Sequence, residues 1–498
     1  MRKLLIANRG EIAVRVIRAA RTMGVATVAV FSDADANAMH AKLADEAVAL
    51  GPSEPSASYL DMAKLLEAAR QTGADAVHPG YGFLSERAEF VEACSEAGIT
   101  FVGPSAAAMR MLGSKSDAKG LAVREGVPIV PGHFDPEATA AELQQAADSI
   151  GYPIMLKASA GGGGRGMRIV RDPNDFDSEL AMASDEALKA FGDGSMMVEK
   201  LVERPRHIEV QILADAHGNV APLFERECSL QRRHQKLVEE SPSPVMSDRL
   251  WVAMRESAVK LIRAAGYVGA GTVEFIVDHA AENFYFLEVN ARLQVEHPVT
   301  EMVTGLDLVQ WQIKIARGER LSFDDRLLQG HRSALQGHSI EARIVAEDPA
   351  AKFLPSVGKI LAWAEPRQPG MRVDTGYGPS AEIPRFYDSL IAKVIAHGES
   401  RDQAINRLRE ALFDFHVLGV KTNIAYLLEV LDHPAFRSGD MDTGFLGRVF
   451  GDYAPAPIPP ELGAILARAT VNEGPQGEAA PRVRGAWGTM DGFRNAKG

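Results

Sequence analysis

The first 110 residues alternate between apolar segments and amphipathic segments, and this alternation restricts the possible folds more than any other feature. Residues 3–7 (KLLIA) are a short apolar run, and residues 26–31 (ATVAVF) are a second one after Gly24. Between them, apolar residues recur at the i, i+3, i+4, i+7 spacing of a helix, at Ala13, Val16, Ile17 and Ala20. A strand, a helix and a strand within about 30 residues predict a parallel βαβ unit.

The same alternation continues, with predicted helices near 60–71 and 87–97 and predicted strands at 74–78 and 99–102. It indicates an open α/β layer. A nicotinamide-binding domain shares this pattern, but it carries GxGxxG in its first turn. This chain has Asn8-Arg9-Gly10 at that place, which disfavours dinucleotide binding.

Composition excludes several classes of protein. The chain of 498 residues is too long for one hydrophobic core and predicts about three domains. A net charge of −12 disfavours a nucleic-acid surface. The two cysteines lack CxxC spacing, the N-terminal apolar run is interrupted at Asn8, and no run of about 18 apolar residues occurs. We therefore expect a cytoplasmic protein without disulfides, a cysteine zinc site or a membrane segment.

A glycine run, residues 157–167 (KASAGGGGRGM), lies between two apolar segments. Glycines allow backbone N–H groups to approach phosphate oxygens closely. A Walker A loop opens a helix and contains Gly-Lys-Ser/Thr, so the strand–loop–strand pattern favours a hairpin flap over a nucleotide. The alternative is a glycine-rich surface hairpin without a ligand. Lys157 and Arg165 favour the polyphosphate site, because they place cations beside the exposed backbone.

Residues 199–202 (EKLV) end another apolar segment and predict the position of the adenine. Adenine needs backbone donors and acceptors between apolar side chains, and Met167 and Val202 are candidates for those side chains. Taken alone the signal is weak, because a Glu-Lys pair at a strand end is usually solvated.

Residues 272–278 (TVEFIVD) and 284–290 (FYFLEVN) predict a β-hairpin around a polar loop. If the turn is symmetric about Ala281, Glu274 lies opposite Glu288 on one face, with Cβ atoms about 5 Å apart. Asn290, two residues further on, shares that face. Facing carboxylates are destabilising unless a cation lies between them, and Mg²⁺ prefers such oxygen ligands. The alternative, a solvated pair of glutamates, is disfavoured by the apolar remainder of both strands.

The segment after this hairpin, residues 291–298 (ARLQVEHP), carries two candidate catalytic groups. The planar guanidinium of Arg292 suits a small oxyanion such as bicarbonate. Glu296 is a candidate general base. Residues 225–240 add His234 and Lys236 among glutamates, and on their own they predict a salt-bridged surface strand.

Seven stretches together resemble the biotin carboxylase family of the ATP-grasp superfamily. They are IANRGEIAVRVIRA, HPGYGFLSE, KASAGGGGRGM, ECSLQRRHQK, FLEVNARLQVEHPVTE, FLPSVGKI and YDSLIAKVI. They follow the family's order, and the resemblance extends from residue 4 to about 446, nearly nine-tenths of the chain. Ala160 and Arg165 stand where some relatives have Gly and Lys, and both keep the small or cationic character.

The resemblance implies a role for each matching residue. The implied ATP contacts are Lys115, Lys157, Gly162, Gly163, Gly164, Met167, Glu199, Lys200, Val202, His207, Gln231 and His234. Two Mg²⁺ or Mn²⁺ ions would be held by Glu274, Glu288 and Asn290. Bicarbonate would be bound by Lys236, Arg292, Gln294 and Val295. The implied catalytic residues are Glu296, which removes the proton of bicarbonate, Arg343, which stabilises the biotin enolate, and also Lys236 and Arg292.

The resemblance also implies an ATP-grasp fold of mixed α/β and α+β character. A Rossmann-like N-terminal α/β domain is expected at 1–113 and an ATP-grasp domain at 114–330, with a mobile glycine-rich lid at about 130–202. A mixed C-terminal domain is expected at 331–446 and a peripheral tail at 447–498.

The implied activity is the carboxylation of biotin from MgATP and bicarbonate through carboxyphosphate, the first half-reaction of a biotin-dependent acyl-CoA carboxylase. Implied partners are a biotin carboxyl carrier protein or biotinyl domain and a carboxyltransferase subunit, in a homodimer or larger complex. Biotin is expected as a substrate on the carrier, because the sequence has no Met-Lys pair.

Two other functions remain in view. Another ATP-grasp ligase, such as a carboxylate–amine ligase, would be favoured by loss of the 292–296 loop and of Arg343. A nucleotide-sensing regulatory protein would be favoured by loss of the base or of a metal ligand. All of these residues are present.

Overall fold

The computed structural model of the chain describes residues 1–159, 166–233, 235–280 and 282–455. Among these residues, no helix is both long enough and apolar enough to span a bilayer.

The N-terminal residues form the predicted open α/β layer. Its elements are β1 (Lys3–Ile6), α1 (Gly10–Thr22), β2 (Ala26–Ser32), α2 (Met39–Leu43), β3 (Glu46–Gly51), α3 (Met62–Thr72), β4 (Ala76–His78), α4 (Ala88–Glu96) and β5 (Thr100–Phe101). The five strands are parallel, in the order β3-β2-β1-β4-β5. Strand β3 was not predicted; it lies at the sheet edge, and three of its six residues are exposed.

Two helices, α5 (Ala106–Gly113) and α6 (Lys115–Arg124), lead into a small layered unit. That unit contains β6 (Gly132–His133), α7 (Ala140–Ile150), β7 (Ile154–Ala158), β8 (Met167–Val170), α8 (Phe176–Phe191) and β9 (Met196–Lys200). Its strands form an antiparallel sheet in the order β6-β9-β7-β8. Apolar side chains of α7, α8 and one sheet face form a separate small core that includes Leu143, Ile154 and Phe176.

The remaining elements are built around a third, larger sheet. They begin with β10 (Arg206–Ala214), β11 (Val220–Arg232), β12 (Gln235–Ser241), α9 (Asp248–Ala264), β13 (Gly269–Asp278), β14 (Asn283–Asn290), α10 (His297–Thr304), α11 (Leu308–Ala316), α12 (Asp325–Leu328) and β15 (His338–Val345). They continue with β16 (Glu347–Asp348), β17 (Leu354–Pro355), β18 (Gly358–Lys359), β19 (Ala362–Ala364), β20 (Met371–Thr375), β21 (Glu382–Ile383), β22 (Leu390–Gly398), α13 (Arg401–Asp414), β23 (His416–Leu418), α14 (Ile424–Asp432), α15 (Pro434–Ser438) and α16 (Phe445–Val449). Helix α10 was not predicted; it begins at His297, inside the segment 291–298 that carries the candidate catalytic groups.

Eight strands form this sheet, in the order β14-β13-β10-β11-β12-β15-β22-β20. Strand alternation divides its two faces. On β10, the side chains of Ile208 and Val210 belong to the apolar core that also contains Trp251 of α9. His207 and Glu209 alternate with them and point to the opposite face, which carries the candidate site.

Candidate active site

The hairpin of β13 and β14 has the predicted pairing at the carboxylates. Glu274 lies opposite Glu288, and Thr272 lies opposite Asn290. Beyond Glu274 a β-bulge shifts the register by one residue, so Phe275 pairs with Phe286 and the hairpin is not symmetric about Ala281. Burial and then the charge of Glu274 raise the pKa of Glu288. A cation between the two carboxylates would relieve this repulsion.

The ammonium of Lys236, on β12, lies among three carboxylates. Its Nζ donates to Glu209 Oε2 at 2.6 Å, to Glu274 Oε1 at 3.0 Å and to Glu296 Oε1 at 2.6 Å. Nε2 of His207 lies 3.2 Å from Glu274 Oε2. Burial would raise the pKa of Glu274, but Lys236 and His207 outweigh it and hold that pKa well below its ordinary value.

Glu296, at the start of α10, is held between two cations. Besides Lys236, it accepts a hydrogen bond from Arg343 NH2 at 3.0 Å through Oε2. Arg343 Nε also donates to Glu239 Oε1 at 2.6 Å. Burial opposes ionisation of Glu296, yet Lys236 and Arg343 lower its pKa well below the ordinary value. The side chain is therefore an ionised acceptor, as a general base requires.

Side chains of the 291–296 loop connect the hairpin to this cluster. Arg292 Nε donates to Glu86 Oε2 at 2.8 Å, and its NH2 donates to Asn290 Oδ1 at 2.8 Å. Gln294 Nε2 donates to Glu274 Oε1 at 2.9 Å.

The backbone of this loop is also held from a distant strand. The carbonyl of Val295 accepts a hydrogen bond from Lys393 Nζ of β22 at 2.9 Å. The predicted bicarbonate residues of the loop thus lie next to the predicted metal ligands and the candidate base.

A cleft of about 450 Å³ lies between the small β6–β9 sheet and the larger sheet. It is lined by Val130, Met155, Lys157, Met167, Glu199, Lys200, Leu201, Val202, Pro205, His207, Gln231, Arg233, Ile276, Leu287 and Thr443. Seven of the predicted ATP contacts are among these residues, and apolar side chains from both sheets provide the walls that an adenine ring needs.

Glu199 organises the cations of this cleft. Its carboxylate accepts hydrogen bonds from Lys119 Nζ at 2.8 Å and from Lys157 Nζ. Burial would raise the pKa of Glu199, but the two lysines lower it. Lys200 lines the cleft as well, but its Nζ donates to the carbonyl of Gly151 at 2.7 Å and not to Glu199.

Lys115, at the start of α6, is not among the residues lining the cleft. Its charge lowers the pKa of Glu288, although burial and Glu274 still leave that pKa raised. Five residues of the sequence predictions lie outside the described residues: Gly162, Gly163, Gly164, Arg165 and His234.

A larger cavity, of about 1130 Å³, lies beside Arg9 and residues 376–386. Arg9 is already paired there, with its Nε 2.6 Å from Asp35 Oδ2. Size therefore does not identify the active site, whereas the smaller cleft is the one that the predicted residues line.

Several charged residues of the site were missed by the sequence analysis, namely Glu86, Lys119, Glu209, Glu239 and Lys393. Only Glu209 had a local signal, because it follows His207 by two residues on an apolar strand and must share its face. The others reach the site through contacts between segments far apart in sequence.

The donor set fits a divalent cation. Donor atoms of His207, Glu209 and Glu274 lie within 4.8 Å of one another. Carboxylate oxygens predominate, as Mg²⁺ and Mn²⁺ prefer. The raised pKa of Glu288 indicates a carboxylate that gains from such a cation.

Three family profiles match the chain in succession. They are described as "Biotin carboxylase, N-terminal domain" (residues 1–109), "Carbamoyl-phosphate synthase L chain, ATP binding domain" (114–323) and "Biotin carboxylase C-terminal domain" (341–448).

Full-length relatives give the same result. Biotin carboxylase 1 of Bacillus subtilis is 48% identical over 446 residues, which cover 90% of this chain and 98% of that protein. Methylcrotonoyl-CoA carboxylase subunit alpha of Mus musculus is 47% identical over 455 residues, covering 91% of this chain. The chain spans only 63% of the length of that mouse subunit.

Solved structures resemble the fold closely. Biotin carboxylase of Campylobacter jejuni, in a complex with a β,γ-ATP ligand, has a TM-score of 0.82 at 43% identity and covers 90% of this chain and 98% of its own. The biotin carboxylase domain of Hydrogenobacter thermophilus 2-oxoglutarate carboxylase, with MgADP and bicarbonate, has a TM-score of 0.82 at 44% identity and covers 92% and 99%. The chain therefore belongs to the biotin carboxylase family and is an ATP-dependent carboxylase with the ATP-grasp fold.

Proposed function

We propose that this chain carboxylates biotin with bicarbonate and ATP, using Glu296 as the base that deprotonates bicarbonate. One observation carries the assignment: Glu296 is buried and ionised, and it lies between Lys236 and Arg343 beside the predicted bicarbonate loop. The proton acceptor Glu296 thus contacts both Lys236, a cation that can bind an anion, and Arg343, a cation that can stabilise the enolate.

ATP occupies the cleft between the two sheets in this proposal. Met155, Met167 and Leu287 lie on its apolar walls, which supports placing the adenine there. Lys157 and Lys119, held by Glu199, are the cations for the phosphates. Lys115 and His207 extend this positive region towards Glu288 and Glu274.

Glu274, Glu288 and Asn290, together with Glu209, would hold the divalent ions. When bound there, such ions neutralise charge on the phosphates of ATP during phosphoryl transfer. Lys236 neutralises Glu209 and Glu274, and this mutual arrangement keeps the carboxylates ordered for the cation.

The chemistry proceeds in two stages. Glu296 accepts the proton of bicarbonate, an oxygen of bicarbonate bonds to the γ-phosphorus, and the bond to ADP breaks, giving carboxyphosphate. Carboxyphosphate then splits into CO₂ and phosphate, and phosphate takes the ureido proton of biotin. Arg343 stabilises the enolate that attacks CO₂. Closure of the lid over the cleft excludes water, which would hydrolyse carboxyphosphate.

The same proposal includes the domain boundaries, the partners and the cellular location. The division at 1–113, 114–330 and 331–446 is supported by the ranges of the three family profiles. A carboxyltransferase subunit and a homodimer or larger complex are the expected partners, and the name of the mouse relative, a carboxylase subunit alpha, supports a larger complex. A cytoplasmic location is also proposed, and the two buried free thiols, Cys94 and Cys228, are compatible with it.

Biotin is expected on a domain outside these 498 residues, since they contain no Met-Lys pair. Incubation of the chain with a biotin protein ligase, ATP and biotin should leave its intact mass unchanged. A stoichiometric biotin adduct would refute this part of the proposal.

The decisive experiment measures ADP release with bicarbonate, with biotin and with both. We expect release to require both together, and to increase when biotin is presented on a carrier. ADP release that needs neither bicarbonate nor biotin, but depends on an added amine and carboxylate, would instead identify a carboxylate–amine ligase.

A further inference from the structure

Two glutamates lie side by side next to the arginine that contacts Glu296. Glu239 on β12 and Glu341 on β15 are directly opposite each other in antiparallel register. Their side chains therefore share a face, with Cβ atoms about 5 Å apart. Both residues have 0% of their surface exposed. Among the described residues, Oε2 of Glu239 and both carboxylate oxygens of Glu341 have no hydrogen-bond partner.

The nearby cations are engaged by other groups. Arg343 donates to Glu239 Oε1 at 2.6 Å and to Glu296 Oε2 at 3.0 Å. Lys393 lies opposite Arg343 on β22, and its Nζ is 2.9 Å from the carbonyl of Val295 and 3.0 Å from Glu11 Oε1. Within the described part of the chain, neither cation makes an ion pair with Glu341.

Within the described residues, the helices packed on β15 place no cation in an ion pair with Glu341. From α10 come His297 and Glu301. Burial and then nearby cations lower the pKa of His297 well below its ordinary value, so this imidazole is neutral. Glu301 is paired with Arg15 at 2.8 Å and Arg372 at 2.6 Å. From α13, the guanidinium of Arg401 is 2.7 Å from Glu240, which neighbours Glu239 on the strand.

We propose that Glu239 and Glu341 share one proton, so that Glu341 is a neutral acid and Glu239 alone neutralises Arg343. Ionisation of both would bury a carboxylate without a partner beside a like charge, and each of these is costly. Burial raises the pKa of Glu341 well above the ordinary value, and the charge of Glu239 adds to this effect against Lys393 and Arg343. Burial also raises the pKa of Glu239, and the charge of Glu296 adds to that effect against Arg343.

This inference rests on the proposed function for its catalytic meaning. Arg343 can stabilise a biotin enolate only while its guanidinium stays near Glu296. A second negative charge on the same sheet face would compete for that guanidinium. Glu341 is therefore a positioning residue, and its ionisation at alkaline pH lowers kcat through Arg343, whereas the KM for ATP stays constant.

The test compares Glu341→Gln with a matched control, Glu240→Gln. Glu240 is also buried and neighbours Glu239, but it is fully paired with His338 and Arg401, both at 2.7 Å. The infrared spectrum of the substrate-free wild-type protein should contain a band of a protonated carboxylic acid near neutral pH. The band should disappear in Glu341→Gln and persist in Glu240→Gln.

Stability gives a second readout without substrate. Because the folded-state pKa of Glu341 is raised, wild type loses stability as pH rises above the ordinary value of 4.5. The Tm of Glu341→Gln minus that of wild type should therefore increase with pH. A missing band in wild type, or a Tm difference that is flat with pH, would overturn the shared proton whatever reaction the enzyme catalyses.

Activity tests the positioning role separately. At the alkaline pH where wild type retains half of its maximal kcat, Glu341→Gln should retain about twofold more of its own maximum, because its alkaline limb lies at higher pH. If kcat decreases at the same alkaline pH in both proteins, but the band and the Tm shift are as expected, the shared proton is supported and its link to Arg343 is refuted.

Discussion

The β6–β9 sheet, in the predicted lid, and the eight-stranded large sheet both carry charged side chains of the candidate site. The two sheets hold these side chains differently. In the lid, Lys157 is 28% exposed and its partner is a single glutamate, Glu199. In the large sheet, Lys236 is 12% exposed and contacts three carboxylates. The lid has a small core of its own, whereas the large sheet shares its core with α9 and the N-terminal layer.

In the proposed function, this difference separates phosphate binding from proton transfer. Phosphate-binding groups on a small unit can leave and return with the nucleotide. Groups that move protons and stabilise developing charge need a fixed geometry before the substrate arrives. The mutual ion pairs of the large sheet provide that geometry, because each buried carboxylate is oriented by a neighbouring cation.

The largest expected effect comes from reversing a charge in the large sheet. Glu288→Lys should abolish metal-dependent ADP release, since it puts an ammonium where the divalent ion must lie. The control is Glu282→Lys in the turn of the same hairpin, where Glu282 is 41% exposed. We expect that control to keep its activity. An active Glu288→Lys enzyme would show that this sheet is not organised around a cation.

Neutralising the base is the next largest change. Glu296→Gln keeps the size of the side chain and removes its ability to accept a proton. Biotin-dependent ADP release should fall by about 10²–10⁴, a typical contribution of a general base. The ATP affinity, set by the lid cleft, should change little in a nucleotide-binding titration. Activity within about threefold of wild type would exclude Glu296 as the base, given that range.

The same Glu→Gln change should have different effects on stability in the two regions. Glu240 of the large sheet is buried, and although burial opposes it, Arg401 and His338 lower its pKa to about 2. Glu240→Gln should cost about 3 kcal/mol in the free energy of unfolding, because it leaves buried cations unpaired. Arg171 of the lid and Glu203, directly after it, are 64% and 61% exposed, and Glu203→Gln should cost at most about 0.5 kcal/mol.

The pH dependence of this difference has a defined sign. A lowered folded-state pKa means that the contribution of Glu240 is present above its ordinary value of 4.5 and is lost as pH falls through about 2. The gap between the two variants in urea denaturation should therefore close in acid. Equal costs at neutral pH would contradict the contrast between lid and sheet.

The smallest expected change is in amide exchange. Strands β7 and β8 of the lid should exchange faster than β10 and β13 without nucleotide, and ATP should slow only the lid strands. The same protection is expected at 161–166, of which only Gly166 lies within the described residues. Amide exchange rates in β7 and β8 that are the same with and without ATP would refute the mobile lid.

The sequence predicted those features that depend on neighbouring residues. The Glu274–Glu288 pairing followed from alternation around a polar loop, and the N-terminal layer followed from apolar periodicity. The β-bulge after Glu274 could not be predicted, because an extra residue in one strand shifts the pairing and leaves both strands apolar. Long-range contacts were also missed. The residues near Lys119 in the sequence do not indicate its contact with Glu199, and those near Glu239 do not indicate its contact with Arg343.

Strand β15 follows residue 330, the predicted end of the ATP-grasp region, yet it pairs with β12 and continues the same eight-stranded sheet. A truncated chain ending at residue 330 would lose β15, β20 and β22 together. It would expose the backbone N–H and C=O groups of β12 as a new edge, beside side chains that are buried in the intact protein. Such an edge is a template for aggregation, so the nucleotide-binding half should be insoluble when expressed alone, although sequence profiles delimit it as a separate unit.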